Sequence, residues 1–552
     1  MSALRRQLVS AAAIARADLL ERLRRYSYLW TLAATLYFGY MVNAGQVRLR
    51  LGGVRGIMNS AWVGTQIALS VGCFLSLLGF YLVKNTLDRD RRTGVGEILA
   101  ATPLSRMAYT AGKALSNFLL LASIVAVLAV AGVISQLLSH EEMHVDILAL
   151  LAPLFFLALP PLAITAALAV LFETSRWLRG SLGNVVFFFL WSAGLAFSGM
   201  AAGGHADPMG FKAFEHSFAR QLPASAHDHE LSLNMGPVDA DDERHGSIRW
   251  DGIAWTPAVM ARRTLWIGLA AVLALLAALP FSRFDPEREA SRRQSRRAGR
   301  SGAVVHRAHA DAEGMAESPT PESPASARSP ETRPTVRIPW TPSSRLLVLA
   351  LAEMQLILRG RNRWWLAGAA ALIVVGLAVP AGEPRAVLLM LAWIWPLPLW
   401  SELGARETLY GTRPLILAAP LPPLLQCVAI WGAGACVTAL AGSGVALRLG
   451  MAGDVRGLLG WLAGCLFVPA LAIALGTLSG SVRLFEIVYL LLWYAGPVNH
   501  VAALDYTGLG AGTRRLTGLP GLPAAGISWI YVSLAAGLFA VAWAARARQT
   551  RS

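Results

Sequence analysis

Residues 61–83 read AWVGTQIALSVGCFLSLLGFYLV, an apolar run without a single Asp, Glu, Lys or Arg. A helix needs about 20 such residues to cross the hydrocarbon of a bilayer, so this stretch is long enough to span one. Comparable runs recur on either side of it, at 28–43, 114–138, 147–172, 185–202 and 265–281, and then at 365–380, 387–400, 424–447, 458–478, 487–503 and 525–544. The whole chain agrees: of 552 residues 55% are apolar and 15% charged, with a mean hydropathy of +0.50. Soluble domains carry about 25% charged residues, and this chain lacks the polar surface they need. The expectation is an all-α polytopic membrane protein with about 12 transmembrane helices.

Basic loops stay on the cytoplasmic side. The N-terminal segment carries Arg5, Arg6, Arg16, Arg22, Arg24 and Arg25, and the stretch after residue 83 carries Lys84, Arg89, Arg91, Arg92, Arg106 and Lys113. The loop 139–146 has no Lys or Arg, and 204–261 holds nine acids against four bases. Both termini are therefore expected in the cytoplasm of a plasma (inner) membrane, although Arg48, Arg50 and Arg55 run against the rule. The net charge of +16 then reports orientation, and no nucleic-acid partner is expected. Cys73, Cys427, Cys436 and Cys465 have no paired spacing and read as small apolar packing residues.

Residues 282–342 form an Arg-rich and then Pro/Ser-rich segment (ESPTPESPASARSPETRPTVRIP) with almost nothing to bury, and are expected to be a disordered cytoplasmic linker. It divides the chain into a first half, 1–281, and a second, 343–552, each with six spans. Each half opens with a basic segment suited to the membrane interface, ADLLERLRRYSYLW at 17–30 and AEMQLILRGRNRWWL at 352–366. An even number of spans per half makes the two halves parallel repeats about an axis along the membrane normal.

A second shared feature follows the second span of each half. The first copy is LDRDRRTGVGEILAATPLSRMAYTAGK, 87–113, and the second is ARETLYGTRPLILAAPLPPLLQ, 405–426. One constant offset lays Asp90 on Glu407, Gly94 on Gly411, Ala101 on Ala418, Pro103 on Pro420 and Leu104 on Leu421. On these residues the chain resembles the type-2 (exporter) permeases of ABC transporters. The matching positions here are Asp90-Arg91-Arg92, Gly94-Val95-Gly96-Glu97, Leu99, Thr102-Pro103-Leu104-Ser105 and Gly112-Lys113, with Val95 and Pro414 as departures. The resemblance implies a transport subunit whose coupling residues are Asp90, Arg91, Arg92, Gly94, Glu97, Thr102, Pro103, Glu407, Gly411 and Pro420. It also implies two cytoplasmic ABC ATPase subunits as partners, with ATP and Mg bound on them. The chain itself has no G-x-x-x-x-G-K-[ST], so it is not expected to be an enzyme.

His140-Glu141-Glu142-Met143-His144 matches H-E-x-x-H, which on a helix puts two His on one face for zinc. A short loop between spans is a poor setting for a protease; His227 and His229 of the acidic loop would have to join His140, Glu141 and His144 to complete a metal site. Solvated surface is the expected reading. Phe211, Phe214 and Phe218 recur at helical spacing and suggest a short amphipathic helix on the membrane surface. The alternatives to an ATP-driven exporter are an ion-coupled secondary transporter and a membrane-bound metal-binding protein or metalloprotease.

Overall fold

The computed structural model describes residues 3–43, 48–51, 54–200, 207–222, 233–236, 247–281, 284, 342–359, 363–378, 383–418, 421–498, 502–507 and 524–549. The chain falls into two units, Met1–Thr320 and Pro321–Ser552. Apart from Phe284 and Pro342, the expected disordered linker 282–342 lies outside the described residues.

In the first unit the helices are α1 (Ala3–Leu23), α2 (Tyr26–Asn43), α3 (Ser60–Ser70), α4 (Ser76–Val83), α5 (Thr86–Arg92), α6 (Val95–Ala100), α7 (Arg106–Ser139), α8 (Ile147–Pro153), α9 (Leu159–Thr174), α10 (Ser181–Met200), α11 (Phe211–Ala219) and α12 (Pro257–Leu276). Single π turns, Val71–Leu75 and Leu154–Ala158, join α3 to α4 and α8 to α9 without ending the helix. The second unit runs α13 (Pro342–Leu358), α14 (Arg363–Ala378), α15 (Glu383–Ile394), α16 (Leu397–Trp400), α17 (Arg406–Leu409), α18 (Arg413–Leu417), α19 (Pro423–Ala441), α20 (Ser443–Met451), α21 (Val455–Ser479), α22 (Val482–Trp493) and α23 (Ala524–Gln549).

Each of the twelve expected spans overlaps a helix, and eight of the helices among the described residues are long and apolar enough to cross a bilayer. The other four, 28–43, 365–380, 387–400 and 487–503, fall on shorter or more polar helices. Proline accounts for two of the shortfalls. Pro396 and Pro398 stand where α15 gives way to α16, and Pro497 lies in a third π turn, Tyr494–Val498, that ends the helical run from α22. A proline removes a backbone donor and crowds the preceding turn, which is why the helix yields there.

Sequence dictates the helix starts. Asn59 accepts the Trp62 N–H at 2.8 Å, Ser105 the Ala108 N–H at 3.1 Å, Asp146 the Ala149 N–H at 3.1 Å and Asp454 the Gly457 N–H at 2.9 Å. Each such cap satisfies one orphan amide and stabilises its helix by about 1 kcal/mol.

One part of the interface reading is corrected. The segment 17–30 is not one amphipathic helix, because α1 closes in a turn at Arg24 and Arg25, and α2 starts at Tyr26. The side that α1 turns to the protein is not its leucine side. Its buried positions are Ala15, Asp18 and Arg22, while Leu20 stands exposed. The reason lies in α7, against which α1 packs: Gly112 leaves its backbone bare there, and an added Cβ would come within 2.8 Å of the Ala11 carbonyl oxygen.

At the opposite end of α7, the acidic loops form a small cap. Strand β1 (Arg48–Leu51) pairs antiparallel with β3 (Leu233–Gly236), and β2 (Arg55–Gly56) pairs parallel with β4 (Ser247–Ile248). The three phenylalanines do lie on one face of a helix, α11, but they face protein instead of the membrane surface. Phe214 and Phe218 are fully buried against Trp62 and Trp250, with ring centroids 5.3–6.0 Å apart. Such aromatic pairs each contribute about 0.5–1.5 kcal/mol beyond their burial, enough to hold a short cap down. Of the four cysteines, all free, Cys427 and Cys465 are buried as packing residues are, whereas Cys436 is exposed.

Candidate functional site

The segment that follows α4 in the first unit folds as two short helices, α5 and α6, set against α1, α7 and the end of α9. Its first anchor is Glu173, the buried acid near the end of α9, whose carboxylate accepts the backbone N–H of Asn85 and, at 2.6 Å, that of Leu87. The start of α5 is thus tied to α9, and an anion at a helix N-terminus is favourable.

Its second anchor is Asp90. Sequence reasoning took this residue as part of a docking face, but the structure turns it inward, only 2% exposed. Lys113 Nζ lies 2.8 Å from Asp90 Oδ2, and the Tyr109 hydroxyl donates to the same oxygen at 2.8 Å. Lys113 also reaches Asp18 Oδ1 at 3.0 Å, so one buried ammonium joins α5 to α1. Around Asp18 stand Ser116, donating at 3.0 Å, Arg22 at 3.5 Å and Arg89 at 3.6 Å. Arg22 also donates to Asn117 Oδ1 at 2.6 Å and to the Val83 carbonyl at 3.1 Å. Arg89 pairs with Glu21 on the outer side. Burial opposes ionisation of Asp18, but Arg22 and Lys113 outweigh it and hold the carboxyl below its ordinary value.

The third anchor is aromatic. Gly96 of α6 sits on the Phe284 ring, where a Cβ would fall within 2.7 Å, and the Arg91 guanidinium lies over the same ring at 5.5 Å. Phe284 packs edge-on against Tyr109, which itself stacks on Phe281 beyond the end of α12 at 4.9 Å. Through these anchors α5 and α6 touch α1, α7, α9 and the segment that follows α12.

What these anchors leave outside is the other half of the geometry. Glu97, Val95 and Pro103 are exposed, Ile98 is 69% exposed, and Arg92 points outward with Asp88 at 2.7 Å. Gly94 makes the turn between α5 and α6 at φ 74°, a left-handed conformation that suits glycine. Thr102 closes α6 by donating to the Leu99 carbonyl at 2.7 Å.

Residues 406–417 of the second unit have a comparable turn, an exposed aliphatic tip and ion pairs. Gly411 turns between α17 and α18 at φ 65°, and Leu415 of α18 is 76% exposed. Glu407 pairs with Arg546 near the end of α23, which also donates to Gln426 Oε1 at 3.1 Å. Arg406 reaches Glu353 of α13 at 2.9 Å. Pro420 lies outside the described residues.

The histidine motif is built differently from what zinc would need. His140 ends α7 in a left-handed conformation at φ 56°, and residues 141–146 continue without helix, so the two His do not share a helix face. Glu141 accepts Arg55 at 2.8 Å and the Met58 N–H at 2.7 Å, and Glu142 pairs with Arg249 at 3.1 Å. Arg55, one of the three arginines that break the charge rule, is thereby neutralised where it stands. No cluster of three or more His, Cys, Asp or Glu able to hold a metal occurs among the described residues; His227 and His229 lie outside them.

Asp18 stood in the sequence only as a charge near a span, Lys113 as the end of a motif, Tyr109 carried no signal, and Phe284 was hidden in the linker. Fold and site together define a predominantly helical protein with several helices apolar enough to cross a membrane. Compared with known proteins, the chain matches no protein-family model and no curated sequence.

Proposed function

We propose that this chain is the permease subunit of an ATP-driven exporter of the ABC type, with two six-span halves in one polypeptide and both termini in the cytoplasm. Separate ATPase subunits, binding ATP and Mg, dock on α5–α6 and on α17–α18. The observation that carries this reading is a recurrence. The offset that lays Asp90 on Glu407 also lays exposed Ile98 on exposed Leu415 and left-handed Gly94 on left-handed Gly411.

What supports docking is that each exposed aliphatic side chain recurs at the matching tip, where a partner could cover it. Beneath each tip, the acid of the segment is paired to a span: Asp90 to Lys113 of α7, Glu407 to Arg546 of α23. A push on the tip is thus delivered to the transmembrane helices through ion pairs and aromatic contacts.

Element order supports the same repeat. In each unit an opening helix packs on the third span helix, α1 on α7 and α13 on α19, and the last span packs on the fourth, α12 on α9 and α23 on α21. The test is co-purification with an ATPase encoded beside this chain. The Ile98→Asp, Leu415→Asp double variant should lose the ATPase while keeping its own melting temperature, and full retention would count against the docking role.

Glu486, fully buried in α22, is the observation that keeps an ion-coupled carrier as the second reading, since acids at membrane depth often serve ion coupling. Under that reading Glu486→Gln abolishes a proton- or sodium-dependent flux that needs no ATPase.

A further inference from the structure

Between α2, the continuous helix α3–α4 and α7, reaching from the end nearer the acidic loops past the middle of α3–α4, lies a cavity of about 620 Å³. That is a usual size for a small-molecule site, for which about 300–1,000 Å³ is typical. Its walls are almost wholly apolar, and none of its lining residues is Asp, Glu, Lys, Arg or His. The π turn Val71–Leu75 supplies Val71, Phe74 and Leu75 to the wall; such turns widen a helix locally and are frequent at functional sites.

One wall residue does not fit a structural void. Gln66 lines the cavity, is 6% exposed, and has no hydrogen-bond partner among the described residues. Buried amides are nearly always partnered. The same bundle satisfies another one: Gln136 of α7 accepts the Ser60 hydroxyl at 2.8 Å and donates to the His144 carbonyl at 2.8 Å. Gln66 therefore presents both a donor and an acceptor to whatever fills the cavity.

Position along α3 fixes the shape of that occupant. Gln66 is six residues from Ser60, about 9 Å in from the helix start, and Leu78 at the far wall lies about 18 Å beyond it. A polar group at one level, an uncharged wall and a long apolar continuation describe a chain with a neutral head. We infer that the cavity binds one neutral, single-chain amphiphile drawn from the bilayer. Its carbonyl or hydroxyl lies on Gln66 and its chain runs past Phe74 and Leu75 toward Leu78. This inference goes beyond the ATP-driven reading and does not depend on it.

The experiment uses the full chain in nanodiscs without any ATPase, and as probe a monoacylglycerol carrying a photoactivatable diazirine in its acyl chain. Adducts should concentrate within residues 34–40, 63–78 and 128–138 and be competed by unlabelled monoacylglycerol. Gln66→Leu, close in size, should weaken half-saturation about five-fold, the worth of one neutral hydrogen bond. Without ligand it should melt no lower than the parent, because an unpartnered amide has been removed. Ala131→Trp, which fills the cavity from α7, should abolish saturable labelling. Labelling spread over all lipid-facing helices, or saturable labelling that Gln66→Leu leaves unchanged, would overturn the proposal. Because no ATPase is present, a failed docking test and a failed labelling test are separate results.

Discussion

Arg406 Nη1 lies 2.9 Å from Glu353 Oε2, joining α17 to the opening helix of its unit, α13, as Arg89 of α5 approaches Asp18 of α1 at 3.6 Å in the first unit. The alignment that lays Asp90 on Glu407 places Arg89 on Arg406, and the opening segments align Asp18 with Glu353. The two units thus carry the same kind of contact on matching residues. Their third partner differs, since Asp90 takes its cation from α7 and Glu407 takes it from α23.

Lys113 is the member of this network whose loss should cost most. It is 3% exposed and lies between Asp18 and Asp90. Removing one partner of a buried pair typically costs about 3–5 kcal/mol because the remaining charge is stranded. Lys113→Met should lower the yield of folded protein and its melting temperature, and adding Asp90→Asn should recover part of the loss. Fluorescence-detected size exclusion after heating measures both.

Acid should act oppositely on the two opening helices. Asp18 is held below its ordinary 3.8, burial notwithstanding, by Arg22 and Lys113. Its contribution is full above 3.8 and is lost as pH falls through the lowered value. Glu353 is pushed above its ordinary 4.5, first by burial and then by Glu407, against the pull of Arg406. Its ionisation costs stability, so the unit is most stable below 4.5 and loses that gain as pH rises through the raised value. Melting curves between about pH 3 and 7 should show Glu353→Gln removing the gain on mild acidification, and Asp18→Asn removing the loss in stronger acid.

Much of this was legible in the sequence and some was not, for reasons of geometry. Hydropathy places the spans because a bilayer imposes a length on them, and Gly94 and Gly411 stand out because a left-handed turn needs glycine. The direction of Asp90 was illegible: among Asp88, Arg89, Asp90, Arg91 and Arg92, every charge looks equally exposed until α7 supplies Lys113. Likewise Phe284 reads as the start of a polar linker until the bare face of Gly96 is seen to receive its ring.

The histidine loop should behave as surface. His140 and His144 do not share a helical face, and Glu141 is engaged by Arg55 and the Met58 amide. Replacing both His with Ala should change stability by no more than about 0.5 kcal/mol, as at other surface positions, and, under the proposed function, leave transport intact. A stoichiometric metal in the parent by elemental analysis, absent from the double variant, would reverse this expectation.

The recurring Arg and acid can be tested as a pair in each unit. Arg406 and Glu353 are each partly exposed, 16% and 24% at the side chain, so part of their attraction is screened and the pair should be worth less than the Lys113 contacts. Under the proposed ATP-driven function, Arg406→Glu and Glu353→Arg should each impair coupling, because each places like charges where an attraction held α17 to α13. Combined, they restore opposite charges across the same gap, and transport-linked ATPase activity should recover toward the parent's. A double-mutant cycle isolates the interaction from the separate effects of each change. If the combined variant is as impaired as the sum of the two, the contact does not transmit movement between these helices, and the parallel with Arg89 and Asp18 is one of shape alone.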